Sequence, residues 1–233
     1  VPTWNETPRI GGNSWMSMYE GTEWRYDRTG IYLRGSNQPL RTDGEPVTCL
    51  AIVDRFADLL IDNAIEFGIP PELLIMTIAT EAAAYRNVGF TGIETFRWEA
   101  HVKVTDVEPN HYGDYSLGPM QTLATTARWV IQSQDLGYDP FDVMPDILEQ
   151  PVVPPDDLPG YLPEINIRIG AAEIKQRWHR SGENPILVSA CYNAGGLYYS
   201  SQNHWHLRSY GNHLDRAAKW FGDACFVVNQ LRD

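Results

Sequence analysis

The sequence predicts a mainly α-helical fold, and three observations carry that expectation. From Thr48 onward, Leu50, Val53, Ala57, Leu60, Ala64 and Phe67 recur at three- and four-residue steps, the spacing that gathers apolar side chains on one helix face. Directly afterwards, Pro70-Pro71 precedes Leu73-Leu74-Ile75-Met76-Thr77-Ile78-Ala79, a run apolar almost all round. Proline suits a first helical turn, and a helix without a polar face is normally buried. Towards the end of the chain, Asn184-Pro185 reads as a cap followed by a first helical residue. The 233 residues are enough to bury a substantial core in one large domain or two small ones.

Taken in order, residues 1–46 show no helical period. They are rich in Gly, Pro, Asn and rings: Trp4, Trp15, Tyr19, Trp24, Tyr26 and Tyr32. Short strands or an irregular wrap are expected there, with a sugar-binding or docking segment as the functional alternative. The catalytic domain is expected over residues 47–233. Its first helix is capped by Thr48 and closed by Gly68, and the apolar helix with Glu81 follows. Residues 85–117 lack clean periodicity and read as a long functional loop, holding the acids Glu94, Glu99, Asp106, Glu108 and Asp114. A helix is expected from about Ala124 to Leu136, ending at Gly137. Residues 138–163 carry Pro140, Pro145, Pro151, Pro154, Pro155, Pro159 and Pro163 and read as a surface insertion. Further helices are expected over about residues 163–178, from Pro185 to Ala194, and over about 212–229.

Charge and composition exclude several classes. A net charge of −12 argues against a nucleic-acid surface and against electrostatic adhesion to an acidic envelope. No run has the length of a membrane span. The chain begins at Val1 and shows no signal-peptide pattern. Cys49, Cys191 and Cys225 are too few and too scattered for a disulfide scaffold or a zinc site. Cys49–Cys225 is the first pair to test for a bridge, and three buried thiols are the alternative. His204, His206 and His213 lack a further ligand at useful spacing, so no metal and no cofactor is expected. Eight Trp and twelve Tyr fit a large core and also a carbohydrate cleft.

Glu81 stands at the end of the apolar run, beside Ala82, Ala83 and Ala84. Burial disfavours the charged form of a carboxyl and raises its pKa, as a general acid working near neutral pH requires. The structural alternative is a Glu on the one wet side of its helix.

Four blocks then give the chain a family likeness. They are Ile78-Ala79-Thr80-Glu81-Ala82, then Gly118-Pro119-Met120-Gln121 with its trailing Thr122-Leu123-Ala124, then Asn166-Ile167-Arg168-Ile169-Gly170, and Cys191-Tyr192-Asn193-Ala194-Gly195. In this order they resemble the goose-type lysozymes and soluble lytic transglycosylases, glycoside hydrolase family 23 of the lysozyme superfamily. Ala82, Pro119 and Cys191 depart from the usual Ser, Leu and Ala. Residues 1–47 and 197–233 lie outside the likeness.

The resemblance implies a lysozyme-like helical domain with long loops that cleaves the β-1,4 bond between N-acetylmuramic acid and N-acetylglucosamine in peptidoglycan. Glu81 would be the acid/base, Tyr192 its hydrogen-bonding partner, and Met120 and Gln121 would line the cleft. Asn193 would hold a turn or touch substrate, and Gly118 would permit close backbone approach. A transglycosylase needs that one Glu, whereas an inverting hydrolase needs a second carboxylate across the sugar. Tyr112-Gly113-Asp114-Tyr115-Ser116 occupies the place where the goose-type branch carries its acids. Asp114 is the first candidate and Asp106 the second, with Tyr115 and Ser116 as neighbouring substrate contacts; solvated loop acids are the alternative. The partners implied are peptidoglycan glycan strands, in an extracellular, periplasmic or virion-associated setting, with residues 1–46 able to dock on an assembly. A chitin-active glycosidase and a non-catalytic glycan-binding or structural component of a phage or secretion assembly are the rival readings.

Overall fold

The computed structural model describes residues 1–82, 114–145 and 158–232, and the backbone of 98–101. The fold is mainly helical. Among the described residues the α-helices are α1 (Val47–Phe67), α2 (Pro71–Ala82), α3 (Ala124–Ser133), α4 (Pro140–Val143), α5 (Pro163–Ser181), α6 (Pro185–Ala194) and α7 (His213–Arg232). Strands β1 (Trp24–Asp27) and β2 (Gly30–Leu33) form an antiparallel hairpin. Strands β3 (Trp98–His101), β4 (Asp114–Leu117) and β5 (Thr122–Leu123) form a second antiparallel sheet, in that order. The chain divides into two compact units, residues 1–80 with 174–233, and residues 81–173.

In the first unit the N-terminal segment packs on α7. Trp24, Tyr26 and Ile31 of the hairpin are buried, Trp24 edge-on to Trp205 at 5.6 Å and Tyr26 edge-on to Phe221 at 6.5 Å. The hairpin comes so close that a Cβ on Gly30 would stand 3.2 Å from the Cα of Gly222, and Gly30 itself has φ +134°. Only glycine suits both demands. Asp223 of α7 accepts from Arg41 Nε at 3.0 Å and from the Thr42 backbone and hydroxyl. Trp24 and Tyr26 thus supply core, whereas Trp4, Trp15 and Tyr32 are half-buried and Tyr19 is exposed, and the segment carries a regular hairpin where an irregular wrap was one of the expectations.

The helix ends follow local chemistry with one exception. Gly68 closes α1 in the left-handed region, φ +63°. Thr48 is not the cap: α1 starts one residue earlier, after Pro46, with no side-chain cap bond. Asn184 caps α6 as expected, accepting from the backbone N–H of Ile186 and Leu187 at 3.1 and 3.3 Å. Its oxygen also accepts from Trp24 Nε1 at 3.2 Å, tying the cap to the hairpin. Cys49, Cys191 and Cys225 are all free and buried, so the Cys49–Cys225 bridge does not form. Burial pushes all three thiols above their ordinary pKa.

In the second unit the expected long loop of 85–117 contains β3 and β4, paired from Trp98 opposite Leu117 to His101 opposite Asp114. Residues 83–97 and 102–113 lie outside the described residues, and with them Glu94, Asp106, Glu108, Tyr112 and Gly113. Helix α3 ends at Ser133, three residues short of the expectation, and the 138–163 stretch contains α4, capped by Asp139, and a 3-10 turn at Pro159–Tyr161. Residues 146–157 are outside the described set.

Candidate active site

Every residue of α2 from Pro71 to Thr80 is buried. Its two buried threonines are satisfied within the helix: Thr77 and Thr80 donate to the carbonyls of Leu73 and Met76 at 2.8 and 2.7 Å. Glu72 pairs with Arg232 at 2.8 Å. Burial raises the Glu72 carboxyl pKa against the opposing pull of that guanidinium. Arg216 of α7 donates to the Thr80 carbonyl at 3.1 Å. Glu81 comes next and is the one residue of α2 that is only half-buried. Among the residues of α2, Glu81 is therefore the one that is not fully enclosed.

Gly118-Pro119-Met120-Gln121 forms the tight turn between β4 and β5. Gly118 has φ +81° and Gln121 φ +48°. The Gln121 backbone N–H and side-chain amide both donate to the Gly118 carbonyl, at 3.2 and 3.0 Å, and Ser116 Oγ donates to Gln121 Oε1 at 3.3 Å. A left-handed Gln is uncommon, and such outliers concentrate at functional sites.

Asn166 of α5 holds this turn. Its oxygen accepts from Met120 N at 2.9 Å, and its NH2 donates to Leu117 O at 2.9 Å and Gly160 O at 3.0 Å. A Cβ on Gly118 would collide with that amide, and a Cβ on Gly170 with the Met120 thioether. Asn166 and Gly170 are four residues apart and share one face of α5. The second and third sequence blocks therefore form one packed knot between residues 46 positions apart. Asn166 enters the sequence reading only as part of a motif; its partners lie far away in the chain, so no local pattern announces its work.

Met120 is fully buried, packed against α5, so it supports the turn and does not line a cleft. Tyr115 is also buried, its hydroxyl donating to Pro145 O at 2.8 Å, and Ser116 lies inside the same sheet. Gln121 is also buried, at 8% exposure. Asp114 is buried and its oxygens are occupied. It accepts from its neighbour Tyr115 N at 2.9 Å, from Thr125 N at 3.2 Å and from Thr125 Oγ1 at 2.6 Å. Thr125 is the second residue of α3, so Asp114 caps that helix where Leu123 cannot, at the end that favours a negative charge.

Tyr192 and Asn193 stand on the last turn of α6, in the first unit. Gly195 ends the helix with φ +75°, and Arg177 donates to its carbonyl at 2.7 Å. Tyr192 is half-buried. Asn193 is exposed and its oxygen accepts from Tyr210 N at 2.8 Å, so it holds the following loop. Among the described residues no group of His, Cys, Asp and Glu is placed to hold a metal ion, and no helix is long and apolar enough to cross a membrane. His204 donates from Nε2 to Asp215 at 2.6 Å, with Thr22 Oγ1 at 2.7 Å from its Nδ1. No protein-family model matches the chain, and none of the curated proteins compared with it matches either.

Proposed function

We propose that this chain is a peptidoglycan-cleaving muramidase with a lysozyme-like fold, acting as a lytic transglycosylase through Glu81. The observation that carries the reading is Glu81 itself, the one half-open position of an otherwise buried helix. The likeness of the four blocks to glycoside hydrolase family 23 supplies the substrate, and the packing of the 118–121 turn on Asn166 and Gly170 supports it. Glu81 donates a proton to the leaving glycosidic oxygen. The carboxylate so formed takes a proton from the muramic acid 6-hydroxyl, which closes a 1,6-anhydro ring and returns Glu81 to its starting state.

One carboxylate suffices for that sequence. The capping role of Asp114 favours it over a hydrolase, because a carboxylate whose oxygens already accept three hydrogen bonds is poorly placed to activate water. Digestion of purified sacculi followed by mass spectrometry of the muropeptides tests the proposal. The expected products are lighter by one water than their reducing counterparts. Reducing ends alone would assign hydrolysis, and intact sacculi would overturn the reading.

A further inference from the structure

Arg216, near the start of α7, belongs to none of the four blocks, and its guanidinium reaches the end of α2. Nη1 donates to the Thr80 carbonyl at 3.1 Å. Nε donates to Asn212 Oδ1 at 3.0 Å, four positions earlier on the same chain, so the planar guanidinium is held along two edges. The residue is half-buried, and both it and Thr80 lie in the first unit. The acceptor gives this bond its consequence. A peptide group is planar, and the one that begins with the Thr80 carbonyl ends at the Cα of Glu81. A donor that fixes the Thr80 oxygen therefore fixes the plane from which the Glu81 side chain springs. Local chemistry makes such a hold useful. Thr80 is among the last four residues of α2, whose carbonyls have no partner within a helix, and helix ends fray. The hydroxyls of Thr77 and Thr80 turn back to the carbonyls of Leu73 and Met76, and back-bonding of this kind weakens and bends a helix slightly. Packing encloses Pro71 to Thr80 and leaves Glu81 half-buried. A cation at a helix C-terminus is favoured there by the backbone dipoles.

We infer that Arg216 is a positioning residue for Glu81: through its bond to the Thr80 carbonyl it holds the Thr80–Glu81 peptide plane, so that the carboxyl meets the glycosidic oxygen in one orientation. The inference rests on the muramidase reading of Glu81. Arg216 acts through the backbone of α2 and needs no contact with the sugar. Proton transfer requires the acid within hydrogen-bond reach of the leaving oxygen, and a displacement of about 1 Å can cost on the order of a hundredfold in rate. Such a loss falls on kcat and spares KM, because an orientation needed in the transition state adds nothing to ground-state binding.

The test compares the full unaltered chain with Glu81→Gln, Arg216→Met and Arg216→Lys on soluble, uncross-linked peptidoglycan strands. Each protein is assayed well below its own unfolding midpoint, with circular dichroism checking the fold. Arg216→Met keeps an apolar stem and removes the donor. It should lower kcat about tenfold to a hundredfold and leave KM unchanged. Lysine offers N–H donors on a flexible stem, so Arg216→Lys should recover most of the lost kcat, which a general loosening of the fold would not give. Should Arg216→Met fail to fold, Arg216→Gln, whose amide stops short of the guanidinium's reach, takes its place with the same expectation. A folded donor-less variant with unaltered kcat overturns the inference. So does a raised KM at unchanged kcat, which would make Arg216 a substrate contact, and so does a loss that lysine leaves in full. In these three outcomes the Glu81 reading stands, provided that the unaltered chain cleaves the strands and Glu81→Gln does not. An unaltered chain that cleaves nothing, or a Glu81→Gln variant that cleaves at the unaltered rate, overturns both.

Discussion

The side chain of Asn166 bonds to three buried backbone groups, those of Met120, Leu117 and Gly160. Asn166→Ala strands all three, at about 1–3 kcal/mol for each group left unpaired. We expect a loss on the order of 3 kcal/mol in urea unfolding, with lytic activity falling alongside. Asp114 separates two roles in one experiment. As the cap of α3, its replacement by Ala costs about 1–2 kcal/mol and leaves substantial lysis at a temperature where the variant is folded. A required second carboxylate would instead abolish lysis at unchanged stability. At this scale the position of Glu81 is legible in the sequence, because a lone acid at the end of an apolar run is visible there. The cap is not: Asp114 meets Thr125 eleven positions away, across a turn, and capping signals are read over three or four.

Helices were the legible elements, since a 3.6-residue apolar period and the punctuation of Asn184-Pro185, Gly68 and Gly195 mark them locally. Strand β4 was not. All four of its residues are buried, so no alternation of apolar and polar marks it, and the polar residues Asp114 and Ser116 look like loop. Asn184 joins α6 to the hairpin; Asn184→Ala should therefore cost more than an ordinary cap, about 2 kcal/mol. His213 gives α7 a pH dependence. Burial, with the nearby Arg216 cation as a lesser cause, lowers its pKa from 6.5 to about 4, while its bond with the Ser189 backbone opposes the shift. Above pH 6.5 both folded and unfolded forms are neutral and the stability is fully present. Between 6.5 and 4 the unfolded chain takes the proton first, so stability falls with pH, by about 3 kcal/mol in all. Unfolding midpoints at pH 7 and pH 5 should differ accordingly, and His213→Gln should flatten that difference.

Across the whole molecule, the last turn of α7 reaches back to both the chain start and α2. Arg232 donates to Glu72 and Thr7 and to the carbonyls of Trp4 and Pro8. Its pairing with Glu72 spans 160 positions, a distance at which nothing in a single sequence signals contact. Arg232→Ala leaves a buried, unpaired acid, and urea unfolding should show a loss of about 3–5 kcal/mol. The division into residues 1–80 with 174–233 and residues 81–173 was equally hidden, because α2 and α5 each run through the boundary without a break in helical pattern. What was legible at this scale was the helical class and the order of the four blocks. The central claim is that the half-buried Glu81 performs the chemistry, and the most direct measurement is lysis of purified sacculi by Glu81→Gln beside the unaltered chain. The amide keeps the shape of the acid but has no proton to give or take, so the account predicts a folded protein with nearly all turnover lost. A folded Glu81→Gln variant that lyses sacculi at the unaltered rate would contradict it.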